Sequence, residues 1–230
     1  MPTDAFTAEP GPHPHAPRVT VRGEARLETD PELARIGVTV GARGADRDAT
    51  LRDLTHRNDR ALELVRSYGD AVARLETGAF TLTPEPARHG RGERVRAYTG
   101  RVHLTAELTD FTALGELVTR LAELDLTRVD GPWWTLRPDS PVHARVRRLA
   151  VQAAVQRARE YADALGTRLD ALLELSDTGA DLVPPAPAGG LRMAFAAESV
   201  EAAPPLSLEP QLQTASAEVT ARFTLHPPTL

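Results

Sequence analysis

Seven histidines, six serines and 32 carboxylates against 27 basic residues are the raw material for chemistry in this 230-residue chain, and their spacing withholds most of it. A helical zinc site would need HExxH, which is absent, and His56, His89, His103 and His143 stand singly in separate segments. His13 and His15 lie two residues apart near the start, a weak adventitious site at best. With no cysteine, the chain has no thiolate nucleophile, no disulfide and no Cys-bearing zinc or iron–sulfur centre. No GxSxG elbow occurs, and Ser67, Ser140, Ser176, Ser199, Ser207 and Ser216 fall in turns or at exposed strand positions. Carboxylate pairs such as Glu160 and Asp163 have the spacing of a solvated helix face. Neither GxxxxGK[ST] nor a GxGxxG between strand and helix is present, since Gly41, Gly44, Gly90 and Gly92 do not form one. The sequence therefore predicts no catalytic residues, no cofactor and no metal, and a protein that is not an enzyme.

Three features remain. Arg88, Arg91, Arg94, Arg96 and Arg101, with His89 and His103 among them, form a candidate anion patch. All 27 basic residues are Arg, however, a compositional bias that weakens any reading of Arg as phosphate recognition. Trp133 and Trp134 are adjacent in a strand-like run, so they point to opposite faces and cannot share one core. Cover from a loop, from a helix or from another subunit is needed for the second ring, which makes the pair a candidate interface. Asn58 stands on an otherwise apolar helical stripe, where a buried amide requires a partner in nearby backbone or in a ligand.

The elements that must position these residues follow from periodicity. Val19, Val21, Ala25 and Leu27 alternate with polar residues, with Gly23 as a bulge or close approach; after Thr29, Asp30 and Pro31 the alternation resumes through Ala34, Ile36, Val38 and Val40. That pair reads as a β-hairpin. Asp46 caps a helix with the stripe Leu51, Leu54, Asn58, Ala61, Leu62 and Val65, ended by Gly69. Strands follow over Thr77–Leu82, stopped by Pro84 and Pro86, and over Tyr98–Leu108, whose Tyr98 faces the core. Thr109 and Asp110 cap a second helix with Phe111, Leu114, Leu117, Val118, Leu121 and Leu124 inward. A strand at Val129–Leu136 precedes a third helix from Pro141 to about Leu165, with Val146, Ala150, Ala154, Ala158, Tyr161 and Leu165 inward. A short strand at Leu169–Leu175 and a last one through Ala217, Val219, Ala221, Phe223 and Leu225 complete the pattern.

The order is roughly ββαββαβαββ, which predicts an α+β fold with largely antiparallel sheet packed against three main helices. Residues 1–17, with five prolines and few large apolar side chains, read as a disordered tail, and residues 18–226 as a single domain with a Pro/Ala-rich loop at about 177–210. A chain of this length buries about 70% of its extended surface, enough for a substantial core. The formal charge of −5 argues against a nucleic-acid partner. No run approaches a membrane span and Met1–Pro17 lacks the build of a signal peptide, so the expected location is cytoplasmic.

Taken in order, VTVRGEA from Val19, DPELARIGVTV from Asp30, Asn58, ETGAFTLTPE from Glu76, AYTGRVHL with Tyr98, LTRVDGPWWTL from Leu126, AVQRAREYADALGTRL from Ala154 and PPLSLEPQLQTASAEVTARFTL from Pro204 resemble the SIMPL (DUF541) domain family. The resemblance spans about Arg18 to Leu225. It implies an α+β fold without established catalytic residues or a known cofactor, in mostly bacterial proteins of unknown function. Members are often exported, loosely tied to oxidative-stress phenotypes and reported to self-assemble; the lack of a signal peptide here departs from that pattern. Gly23, Asn58, Tyr98 and Gly131 match as structural positions. The leading expectation is a non-enzymatic, self-associating structural or interaction protein, a homo-oligomer with Trp133 and Trp134 at its interface and a stress link by resemblance. The alternative is a small-molecule or anion binding module using the Arg88 to Arg101 region.

Overall fold

Alternating runs become strands and 3.6-residue stripes become helices throughout the computed structural model, which describes residues 16–86, 95–177 and 204–228. Nearly all of the expected tail, most of the expected loop at about 177–210, and Arg88, Arg91 and Arg94 lie outside the described residues. The strands are β1 (Arg18–Thr29), β2 (Leu33–Gly44), β3 (Val72–Pro86), β4 (Val95–Leu108), β5 (Thr127–Thr135), β6 (Leu169–Asp177) and β7 (Gln213–Leu225). The helices are α1 (Arg47–Arg66), α2 (Phe111–Ala122) and α3 (Pro141–Ala164). Two antiparallel sheets and three helices make the fold α+β, in the order read from the sequence. The chain divides into two compact units, with boundaries after Thr29, Arg137 and Gln213.

The unit between Asp30 and Arg137 holds a four-stranded sheet in the order β3-β4-β2-β5. With α1 and α2 as crossovers, its β-α-β-β-α-β connectivity is the split β-α-β pattern. Both helices begin as their residues dictate: the Asp46 carboxylate accepts from the Ala49 amide at 2.8 Å, and that of Asp110 from the Thr112 and Ala113 amides at 2.9 and 3.0 Å. Ile36, Val38 and Val40 of β2 and Leu104 and Leu108 of β4 face Leu54, Ala61 and Val65 of α1 and Leu114, Leu117 and Leu121 of α2, all buried. Each large side chain there contributes roughly 1.5–3 kcal/mol of burial. β3 runs longer than Thr77–Leu82 and through Pro84 and Pro86, which a strand on the sheet's edge tolerates because its outer amides have no partner to lose.

The second unit contains the three-stranded sheet β1-β7-β6 and α3, whose Ser140 hydroxyl accepts from the Val142 amide. Val146, Ala150, Ala154, Ala158 and Ala162 form its buried stripe. The helix packs chiefly on β1, where a Cβ on Gly23 would stand 2.1 Å from the Ala150 carbonyl oxygen, so the expected close approach is real. Tyr161 and Leu165 are exposed, contrary to the inward placement expected of them, because the strict four-residue alanine step carries the stripe to Ala162 and past their azimuth.

The expected hairpin of the first two strands does not form. β1 pairs with β7, the Leu225 amide donating to the Pro17 carbonyl at 2.8 Å, whereas β2 lies between β4 and β5. Alternation specifies which face a side chain occupies and leaves the partner strand open. Just past Pro31, the Glu32 amide already donates to Thr135, so the chain enters a different ladder at once.

Candidate functional site

Strand alternation sends one set of side chains from β2, β3, β4 and β5 toward α1 and α2 and the other set to the face that neither helix of this unit covers, its helix-free face. In register, Arg35 lies opposite Glu107 and Trp133, Thr39 opposite His103 and Arg128, and Gly41 opposite Arg101. The adjacent tryptophans separate as their spacing requires. Trp134 enters the core, 8% exposed and edge-on to Phe111 with ring centroids 4.8 Å apart. Trp133 lies on the helix-free face and is 44% exposed, so the two do not form a joint surface.

On that face Trp133 and His103 lie in a row made possible by missing side chains. A Cβ on Gly131, where φ is +106°, would stand 3.2 Å from Trp133 Cε3. One on Gly37 would stand 3.5 Å from Trp133 Cη2 and 3.0 Å from His103 Cε1, and one on Gly78 would lie 3.7 Å from His103 Cδ2. The two rings therefore converge over Gly37 and reach toward the backbone on either side. Thr39 Oγ1 and His103 Nδ1, 3.3 Å apart, hold the imidazole further. Around the row run ion pairs: Arg35 with Glu107 at 2.7 Å, Arg128 with Asp130 at 2.5 Å, Arg74 with Glu76 at 2.6 Å, and Arg43 with Glu85 at 2.5 Å. Hydrogen bonds from Arg43 and then Thr99 hold the Glu85 carboxyl below its ordinary range.

Of the candidate anion patch, only Arg96 and Arg101 are among the described residues. Both are exposed, but Arg101 shares the helix-free face with His103, while Arg96 sits where the pairing of β3 and β4 shifts register near Pro86. Between α1 and α2 a cavity of about 480 Å³ is lined by Arg60, Glu63, Arg120 and Glu123, with opposing charges alternating along it. Arg120 Nη1 donates to the Tyr68 hydroxyl at 3.4 Å, and its guanidinium sits 5.8 Å from that ring's centre. Burial pushes the Tyr68 phenol upward against the pull of Arg120. Among the described residues, no three His, Asp or Glu side chains converge as metal ligands would.

In the unit built on α3, leucines stand exposed among charged side chains. β6 is an outer strand, and Leu172, Leu173 and Leu175 are 54%, 36% and 47% exposed. Because α3 lies over β1, its contact with β6 is slight, and a groove of about 500 Å³ separates Val155 and Ala162 from Leu169 and Leu172, with Phe223 beside them and Arg159, Asp163, Arg168 and Asp170 also lining it. The signal was present in the LDALLEL run: leucines on both phases of a strand call for cover on both faces.

The family model SIMPL, described as a protein of unknown function (DUF541), matches residues 19–223. The chain belongs to the SIMPL family. No curated protein matches it. Two of the positions that carried the SIMPL resemblance have evident structural work, Gly23 admitting α3 and Gly131 the Trp133 ring, and a third, half-buried Tyr98, lies near the start of β4, paired with Gly44. The fourth is different. Asn58 Oδ1 is fully buried and has no hydrogen-bond partner among the described residues, so of the two partners open to it, backbone or ligand, the backbone one is not found there. Among the described residues of this SIMPL chain, no helix is long and apolar enough to cross a membrane.

Proposed function

We propose that this SIMPL chain is a non-enzymatic interaction protein that self-associates through the outer edge of β6. The observation that supports this reading is the combination of Leu172, Leu173 and Leu175, all exposed, on a strand with no outer partner among the described residues. An open edge offers unpaired N–H and C=O groups along its length, and soluble proteins ordinarily blunt such an edge with charge or proline. A second copy supplies both missing partners, main-chain hydrogen bonds from its own β6 and apolar cover for the leucines. A role in stress response rests on family resemblance and joins the proposal on that footing. Trp133 is set aside as the assembly contact because it lies on a face whose arginines are largely paired within the chain.

Light scattering after size exclusion, at several concentrations, tests it. The expected mass rises above 24.8 kDa with concentration, returns to that value in a Leu173→Lys, Leu175→Lys variant, and is unchanged by Trp133→Ala. A mass of 24.8 kDa at every concentration overturns self-association. Dissociation by Trp133→Ala, with the lysine variant still assembled, moves the interface to the four-stranded sheet.

A further inference from the structure

Trp133, His103 and Arg101 share the helix-free face of the four-stranded sheet, and the β6 contact uses none of them. We propose that this face binds a small planar aromatic carboxylate, its ring stacked on the Trp133–His103 row and its charge on Arg101.

The stacking surface exists before any ligand arrives. Trp133 Cε3 and Cη2 lie 3.2 and 3.5 Å from where side chains on Gly131 and Gly37 would begin, and His103 reaches from Gly37 to Gly78. Both rings are thus set against backbone, and Thr39 fixes the imidazole through the 3.3 Å contact to Nδ1. A surface already ordered loses little entropy when a ring stacks on it. Offset stacking and edge contacts with a flat ligand are the interactions that an exposed indole beside an imidazole offers.

The charge pattern selects the ligand's single negative group. On this face Arg35, Arg43, Arg74 and Arg128 are engaged by Glu107, Glu85, Glu76 and Asp130. Arg101 is exposed and has no ion pair among the described residues. Arg96 lies within range of the Glu85 carboxylate, whereas Arg101, next to His103, has no carboxylate of its own among the described residues, and one such guanidinium beside the rings suits a monoanion. A single-stranded nucleic acid would need a run of unopposed positive charge along its backbone. Arg101 lies two residues from His103 on the same strand, about 7 Å between Cα atoms, so its fork reaches a carboxylate attached directly to the stacked ring.

The probes are 2-naphthoate and its neutral amide, 2-naphthamide, titrated calorimetrically into the full chain. Naphthoate should bind one per chain and on the order of tenfold more tightly than the amide, the increment of a charge-assisted contact. Arg101→Met, at an exposed position where the fold is not at stake, should abolish that difference and leave amide binding unchanged. Trp133→Ala should weaken both ligands about tenfold or more, and Trp133→Phe should restore most of the loss. The Leu173→Lys, Leu175→Lys variant should bind naphthoate as the wild type does, which separates this site from the assembly contact. The proposal is overturned if naphthoate does not bind at millimolar concentration, if acid and amide bind alike, or if Arg101→Met leaves their ratio intact. Tighter binding of decathymidylate than of naphthoate also overturns it, by showing a polyanion site.

Discussion

The outer strands of the four-stranded sheet carry Pro84, Pro86 and Pro132, and its open face is laced with arginine–carboxylate pairs, whereas the outer strand β6 of the three-stranded sheet presents leucines. Both sheets must finish somewhere. The first removes edge donors and surrounds its exposed ring with charge, two devices that discourage strand addition. The second carries charge as well, with Asp170 near its start and Glu174 between Leu173 and Leu175, but it has no proline and keeps three leucines exposed among those charges. Within one chain, then, an exposed side chain has two meanings: Trp133 sits on a prepared polar surface, and Leu172, Leu173 and Leu175 line an unfinished one.

Core substitutions test the two units most severely. Trp134→Ala should destabilise the four-stranded unit by about 4 kcal/mol, since it removes a buried indole and its contact with Phe111, while Trp133→Ala should cost under about 1 kcal/mol. Urea unfolding followed by far-ultraviolet dichroism checks the pair, and equal losses would erase the distinction between the faces of β5. Gly23→Ala should cost about 3 kcal/mol, at the upper end for overpacking, because its new methyl collides with the Ala150 carbonyl and with Ala154. Hydrogen exchange should then show faster opening in β1 and α3 with protection kept in β2 and β4.

Smaller effects sharpen the comparison. Asp110→Ala removes the acceptor for two α2 amides and should lower stability by about 1 kcal/mol in the same urea assay. The smallest effect concerns Glu85, whose folded-state pKa is depressed by Arg43 and Thr99. A depressed carboxyl contributes stability above its unfolded pKa of about 4.3 and loses that contribution as pH falls through the lower folded value. The urea midpoint of Glu85→Gln should therefore sit slightly below wild type at pH 6 and converge with it as pH drops toward 3. A gap that widens on acidification would show that the Arg43–Glu85 pair does not stabilise the ladder.

How much of this was legible in the residues depends on the range of the interaction. Periods of 2 and 3.6, with Asp46, Asp110 and Ser140 at helix starts, are local and gave the elements and their order. Pairing is not local: Asp30 and Pro31 look alike whether the chain folds back or crosses to another ladder, so alternation alone does not distinguish a hairpin of β1 and β2 from the separate ladders they join. That Trp133 and Trp134 oppose each other followed from adjacency, but which of them enters the core depends on β5 pairing with β2 beside Phe111. Gly37 and Gly78 fall at polar phases where their absent side chains carry no periodic signal, so the ring row was invisible. Arg96 and Arg101 looked like one cluster because they are close in sequence, and a register shift separates their settings.

The pairing of β1 with β7 bears on how the chain emerges during synthesis. Roughly 200 residues separate the two strands, so at 5–20 residues per second β1 waits about 10–40 s for β7, its one partner strand among the described residues. Meanwhile β2 through β5, with α1 and α2, leave the ribosome as one uninterrupted stretch and have every partner strand at hand. The four-stranded sheet can thus mature while translation continues, and β1, made before it, is among the last strands to find its place.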